Sequence, residues 1–152
     1  MLMMMDVFSV VAGLAVGLAI VLGIKKNGNE FHAYPMLIAT MPLYYIGFAI
    51  YGGTTESLIG ELLAGIPFLV LGLFSYLPKL KITALLLAVA WVGHGVYDLS
   101  HEHLFINQGI PGWFPLFCAV VDVFVGLFLA YYVFSHCAYN WRASFPKGGA
   151  RA

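Results

Sequence analysis

The stretch Val7–Ile24, VFSVVAGLAVGLAIVLGI, carries no charge over 18 residues and then meets Lys25 and Lys26. Coiled as a helix at ~1.5 Å per residue it reaches ~27 Å, about the thickness of a bilayer's hydrocarbon core. No basic residue precedes the run and no A-x-A-like site follows it, so it reads as a retained anchor rather than a secretory leader. Gly13 and Gly17 form a GxxxG inside it, with Ala15 and Ala19 nearby. Small residues of this kind let helices approach closely in lipid, either within a chain or between copies.

Four further apolar stretches follow, at Ala33–Tyr51, Leu58–Leu77, Ile82–Leu99 and Trp113–Ser135. Each is long enough to span a membrane as a helix. The connections are short, and none can separate two domains. Residues 1–152 are therefore expected to form one all-α integral membrane bundle of five transmembrane helices. Composition agrees: 62% of residues are hydrophobic, 9% are charged and the mean hydropathy is +0.92. A soluble domain carries about 25% charged residues, so the bilayer is the solvent that suits this chain.

The charges are sorted. All seven basic residues, Lys25, Lys26, Lys79, Lys81, Arg142, Lys147 and Arg151, fall in the first loop, the third loop and the tail. With five spans these lie on one face, which the positive-inside rule makes cytoplasmic. The N-terminus is then outside, the C-terminus cytoplasmic, and the expected location is the cell membrane. Asp6, Glu56, Glu61, Asp98, Glu102 and Asp122 lie toward the other face, with Glu30 the exception. Trp113 at one end of the last span, and Tyr139 and Trp141 at the other, suit interfacial belts. No basic patch suited to nucleic acid is present. Cys118 and Cys137 are 19 residues apart on one expected helix, ~28 Å along its axis, and cannot pair with each other.

Ionisable side chains inside a span cost roughly 2.5–3.5 kcal/mol each on insertion scales and usually face the bundle interior with partners. Glu61, His94, Asp98 and Asp122 are such groups, with His101 just past the fourth span. They come from three helices at similar depth in the outer half. In WVGHGVYDLSHEH, Trp91–His103, the spacings between Trp91, His94, Asp98 and His101 are three, four and three, which puts them on one helix face. Cys118 and Asp122 share a face on the fifth span. Imidazole and carboxylate one turn apart can hold a divalent cation, or the carboxylate can orient the ring. The donor set suits zinc, iron or manganese better than copper(I). The same groups could instead form a structural hydrogen-bonded network, a proton or ion path, or a pocket for a polar headgroup. Against a path, no ionisable group continues the route inward.

Other features carry less. Met1, Met3, Met4 and Met5 could hold copper(I), but an ambiguous translation start explains them more simply. His101, Glu102 and His103 can also be read as only a solvated loop, the simpler reading for His103, and His32 and His136 lie remote from the cluster. Asn107–Pro115, NQGIPGWFP, is rich in turn formers and is expected to fold over the outer end of the bundle. Pro42 and Pro67 lie inside spans, where they can kink helices. Tyr44 and Tyr45 could supply hydroxyl groups to the cluster, but the simpler expectation is that they pack in the bundle.

The pattern His94-Gly95, Asp98, His101, Pro111-x-Trp113-x-Pro115, Cys118 and Asp122, with Glu61 upstream, resembles a family of small bacterial multi-pass membrane proteins of unknown function. The resemblance covers roughly residues 33–135. It implies that these residues form a set, and it implies no activity. Three functions stand open on the sequence. One is an intramembrane metal site acting on a lipid or small apolar substrate, with His94, Asp98, His101, Glu61 and Asp122 as ligands or base. The second is an accessory subunit or assembly factor of a larger membrane complex, or a self-associating chain joined through faces such as Gly13/Gly17. The third is a proton or ion path.

Overall fold

The computed structural model describes residues 2–75, 81–104 and 106–135. Lys79, Arg142, Lys147, Arg151, His136, Cys137, Tyr139, Trp141, Met1 and the expected end of the third span at Leu77 lie outside the described residues. Six helices follow in order: α1 Leu2–Asn27, α2 Glu30–Thr40, α3 Pro42–Gly52, α4 Thr55–Phe74, α5 Lys81–Leu104 and α6 Phe114–Ser135. No strand occurs among the described residues. Five helical stretches are long and apolar enough to cross a membrane, because α2 and α3 follow one another as the single stretch Glu30–Gly52. The break between them falls at Pro42, whose missing N–H interrupts the hydrogen-bond ladder. Pro67 is accommodated inside α4.

The helix ends follow local chemistry. Gly28 has φ 61°, and the bonds Gly28 N–H to the Lys25 carbonyl and Asn29 N–H to the Ile24 carbonyl close α1 with a Schellman cap. Lys25 and Lys26 occupy the same last turn, where cations suit the helix dipole. A reciprocal capping box starts α4, the Ser57 N–H donating to Thr54 Oγ1 and the Thr54 N–H to Ser57 Oγ.

Glycines set the packing. A Cβ on Gly126 would lie 2.6 Å from Val92 Cγ2, and one on Gly95 would lie 3.0 Å from the Ala119 carbonyl oxygen. The backbones of α5 and α6 therefore touch. The same test puts a Gly13 Cβ 2.9 Å from the Phe117 carbonyl oxygen and a Gly17 Cβ 3.0 Å from Phe124 Cδ1. The GxxxG of α1 thus packs against α6 of the same chain. Helices α1, α6 and α5 form one closely packed group, and α2–α3 packs on α4 as the other. Polar residues collect where the two groups meet.

The bundle is inverted relative to a soluble protein. Phe8, Val11, Leu22, Leu63, Val89, Leu127 and Phe134 are exposed, while Glu30, Glu61, His94, Asp98, His101 and Asp122 are buried. Lipid is the environment in which that distribution is stable.

Candidate polar centre

Helix α5 is longer than the fourth apolar run. It continues past Leu99 to Leu104, so His101, Glu102 and His103 are helical rather than loop. One face of it buries Trp91, His94, Asp98 and His101, as the three-four-three spacing predicts, while Glu102 and His103 are exposed. From Leu104, His94 lies ~15 Å along the axis and His101 ~4.5 Å. The expected cluster therefore has depth, and it divides into two parts.

The deeper part joins α5 to α6. His94 Nδ1 lies 2.7 Å from Asp122 Oδ2 and 3.5 Å from Asp98 Oδ2. One potential ligand atom from each of His94, Asp98 and Asp122 falls within 4.8 Å of the others. Gly95 makes this possible, since a Cβ there would sit 3.3 Å from Asp122 Cβ and 2.9 Å from Val123 Cγ2. The Tyr45 hydroxyl donates to Asp98 Oδ1 at 2.8 Å, and the Phe68 ring meets His94 edge-on at 4.6 Å. Asp98 Oδ2, Asp122 Oδ1 and His94 Nε2 are buried without a hydrogen-bond partner among the described residues.

The shallower part joins α4, α5 and the 105–113 connection. Glu61 Oε1 lies 2.7 Å from His101 Nε2 and accepts from Asn107 Nδ2 at 2.9 Å. Glu61 Oε2 accepts from the Tyr97 hydroxyl at 2.6 Å. Asn107 also donates to the Tyr45 carbonyl at 3.3 Å, and its own Oδ1 accepts from the Gly109 N–H. The connection thus folds over the end of the bundle through one buried asparagine. Beside it lies a recess of about 300 Å³ lined by His101, Glu102, Ile106, Asn107, Ile110, Gly112 and Pro115.

Tyr45 couples the two parts, with its ring stacked on His101 at 4.7 Å and 18° while its hydroxyl reaches Asp98. The expectation that Tyr44 packs in the bundle is corrected here, since it is exposed, whereas Tyr45 is buried and its hydroxyl also serves the centre as a hydrogen-bond donor. Adjacent helix positions differ by ~100°, so only one of the pair can face inward. Asn107 is a further member that the sequence marks only as a turn residue. Cys118, one turn before Asp122, is a half-buried free thiol at the margin.

The two parts differ in completeness. The two carboxylate oxygens of Glu61 meet three partners, His101, Asn107 and Tyr97. The deeper set places two carboxylates on one imidazole and leaves one oxygen of each carboxylate unpartnered among the described residues. A buried unpartnered polar group costs about 1–3 kcal/mol, more when charged, so the deeper set has the composition of a cation site.

No protein-family model, curated protein or solved structure matches the chain.

Proposed function

We propose that this chain is a multi-pass cell-membrane protein built around one divalent cation held by His94, Asp98 and Asp122. The N-terminus is placed outside, so that the centre opens on the extracytoplasmic half. The observation that carries the reading is the convergence of three ligand atoms within 4.8 Å on two glycine-packed helices, two of them from carboxylates that each keep one oxygen unpartnered among the described residues. One imidazole with two carboxylates suits manganese, iron or zinc. Tyr45 orients Asp98 as an outer partner of the ligand set.

Three protein ligands leave coordination positions free for a bound molecule. The cation supplies Lewis acidity there, and the Glu61–His101 pair, linked through Tyr45, is the adjoining acid–base group. The recess beside Asn107 gives a lipid headgroup or another small molecule a way toward that pair. Glu61 and His101 are assigned this neighbouring role rather than that of ligands, because each already has the other as its partner.

Elemental analysis of protein purified in mild detergent tests the reading. The expected result is close to one equivalent of a divalent metal, lost in His94→Ala and Asp122→Asn while helical circular dichroism is kept. Folded wild-type protein that takes up no manganese, iron or zinc at saturating concentration sinks it.

A further inference from the structure

A second set of buried polar atoms lies in the half of the bundle away from the recess. Glu30 opens α2 directly after the α1–α2 turn and is 3% exposed, and Tyr34, one turn on, is fully buried. The Tyr34 ring faces the Trp91 indole edge-on at 6.4 Å, and Trp91 is itself fully buried. Glu30 Oε2, the Tyr34 hydroxyl and Trp91 Nε1 have no hydrogen-bond partner among the described residues. Two are donors and one is a carboxylate acceptor.

The placement is directional. From Glu30 to Tyr34 the helix rises ~6 Å, and from Trp91 to His94 it rises ~4.5 Å along α5. His94, about one turn along α5 from Trp91, has its Nε2 also unpartnered among the described residues. Buried polar atoms that protein leaves unpaired are the places where internal water binds, each molecule bridging two to four of them. Lipid supplies no such partners. The expectation that no ionisable group continues inward from the half nearer the recess is therefore incomplete, since Glu30 and Tyr34 are buried in the other half.

We infer that Glu30, Tyr34 and the Trp91 indole enclose bound water, forming a hydrated proton-uptake path from the α1–α2 turn to the middle of the bundle. Glu30 is the exchanging acid at its mouth. The charged and titratable groups facing it are Lys25 of α1, Tyr34 of its own helix and Tyr132 of α6. Tyr34 and Trp91 hold the water against α5. The path needs no metal and stands apart from the cation reading.

The chain has three tryptophans, so the Trp91 indole N–H can be followed by itself. The experiment is hydrogen–deuterium exchange of 15N-indole-labelled protein in lipid nanodiscs with chelator present, the signal being assigned with Trp91→Phe. The expected result is Trp91 exchange at least ten times faster than the backbone amides of neighbouring α5 residues. Glu30→Gln or Tyr34→Phe slows it at least ten-fold, with α6 amide protection unchanged. An indole as protected as those amides in the wild type, or a rate that neither variant alters, overturns the inference. Because the protein is metal-free in this experiment, fast, Glu30-dependent exchange supports this inference whatever the elemental analysis shows for the cation reading.

Discussion

Asp98 and Asp122 face the same imidazole but differ in what else holds them. Asp98 has the Tyr45 hydroxyl on Oδ1, whereas Asp122 has His94 alone, at 2.7 Å. Tyr45→Phe therefore strips Asp98 of its one neutral donor while keeping the ring stacked on His101. The expected cost is about 1–3 kcal/mol for an acceptor left buried and unpaired, read as a lower thermal midpoint in detergent. The same variant should weaken the cation site, because Asp98 loses the group that orients it; unchanged stability and unchanged metal affinity would remove Tyr45 from the centre. Asp122→Asn keeps the volume but removes a charge, so metal binding should fall by more than ten-fold. Acid should act in the same direction. Carboxylate and imidazole bind metal only when deprotonated, so affinity must drop as pH falls. A titration by calorimetry at two pH values checks the sign, and tighter binding at the lower pH would contradict the ligand set.

At the scale of elements, the centre depends on how closely α5 approaches α6. Gly95→Val would drive a side chain into Val123 and the Ala119 carbonyl and push Asp122 away from His94. Overpacking of this kind costs typically 1–3 kcal/mol, and here metal affinity should fall with stability. Gly13→Val offers the control. It crowds Phe117 and Val120 at the α1–α6 contact, so stability should drop while affinity for the metal in the remaining folded protein stays within about two-fold. Equal losses of affinity in the two variants would show that the site responds to general loosening rather than to the α5–α6 spacing. The helices themselves were legible in the sequence because hydropathy reports directly on lipid. The α5 face was legible because its polar residues repeat at three and four. Its true end was not, since His101, Glu102 and His103 lower the hydropathy of a turn that still coils to bring His101 to Glu61. Asn107, and the choice of Tyr45 over Tyr44, were hidden for another reason. A tyrosine among aromatic residues and an asparagine in a turn look ordinary until helices distant in sequence are brought against them. The meeting of α2 with α5 likewise decides that Glu30 and Tyr34 are interior rather than interfacial.

For the molecule as a whole, the governing quantity is the number of membrane crossings between one end of the bundle and the other. Ser9 near the start of α1 donates to the Trp113 carbonyl beside α6, so the start of α1 lies at the same end as the 105–113 connection. Lys25 and Lys26 close α1 at the opposite end. Between Asn27 and Gln108 lie three of the five stretches that can cross a bilayer, an odd number, so if each crosses, these two exposed positions face different compartments. Under the proposed orientation, which rests on the positive-inside rule, Asn27 is cytoplasmic and Gln108 is outside. The check uses single cysteines at each position, in a background with Cys118 and Cys137 replaced by serine. With cells intact, a membrane-impermeant maleimide should label Gln108→Cys at once and reach Asn27→Cys only after permeabilisation. The reverse pattern would invert the bundle, moving the cation centre to the cytoplasmic half and the mouth of the Glu30 path to the exterior. Labelling of both positions in intact cells would break the odd count and with it the arrangement of spans that brings α4, α5 and α6 together.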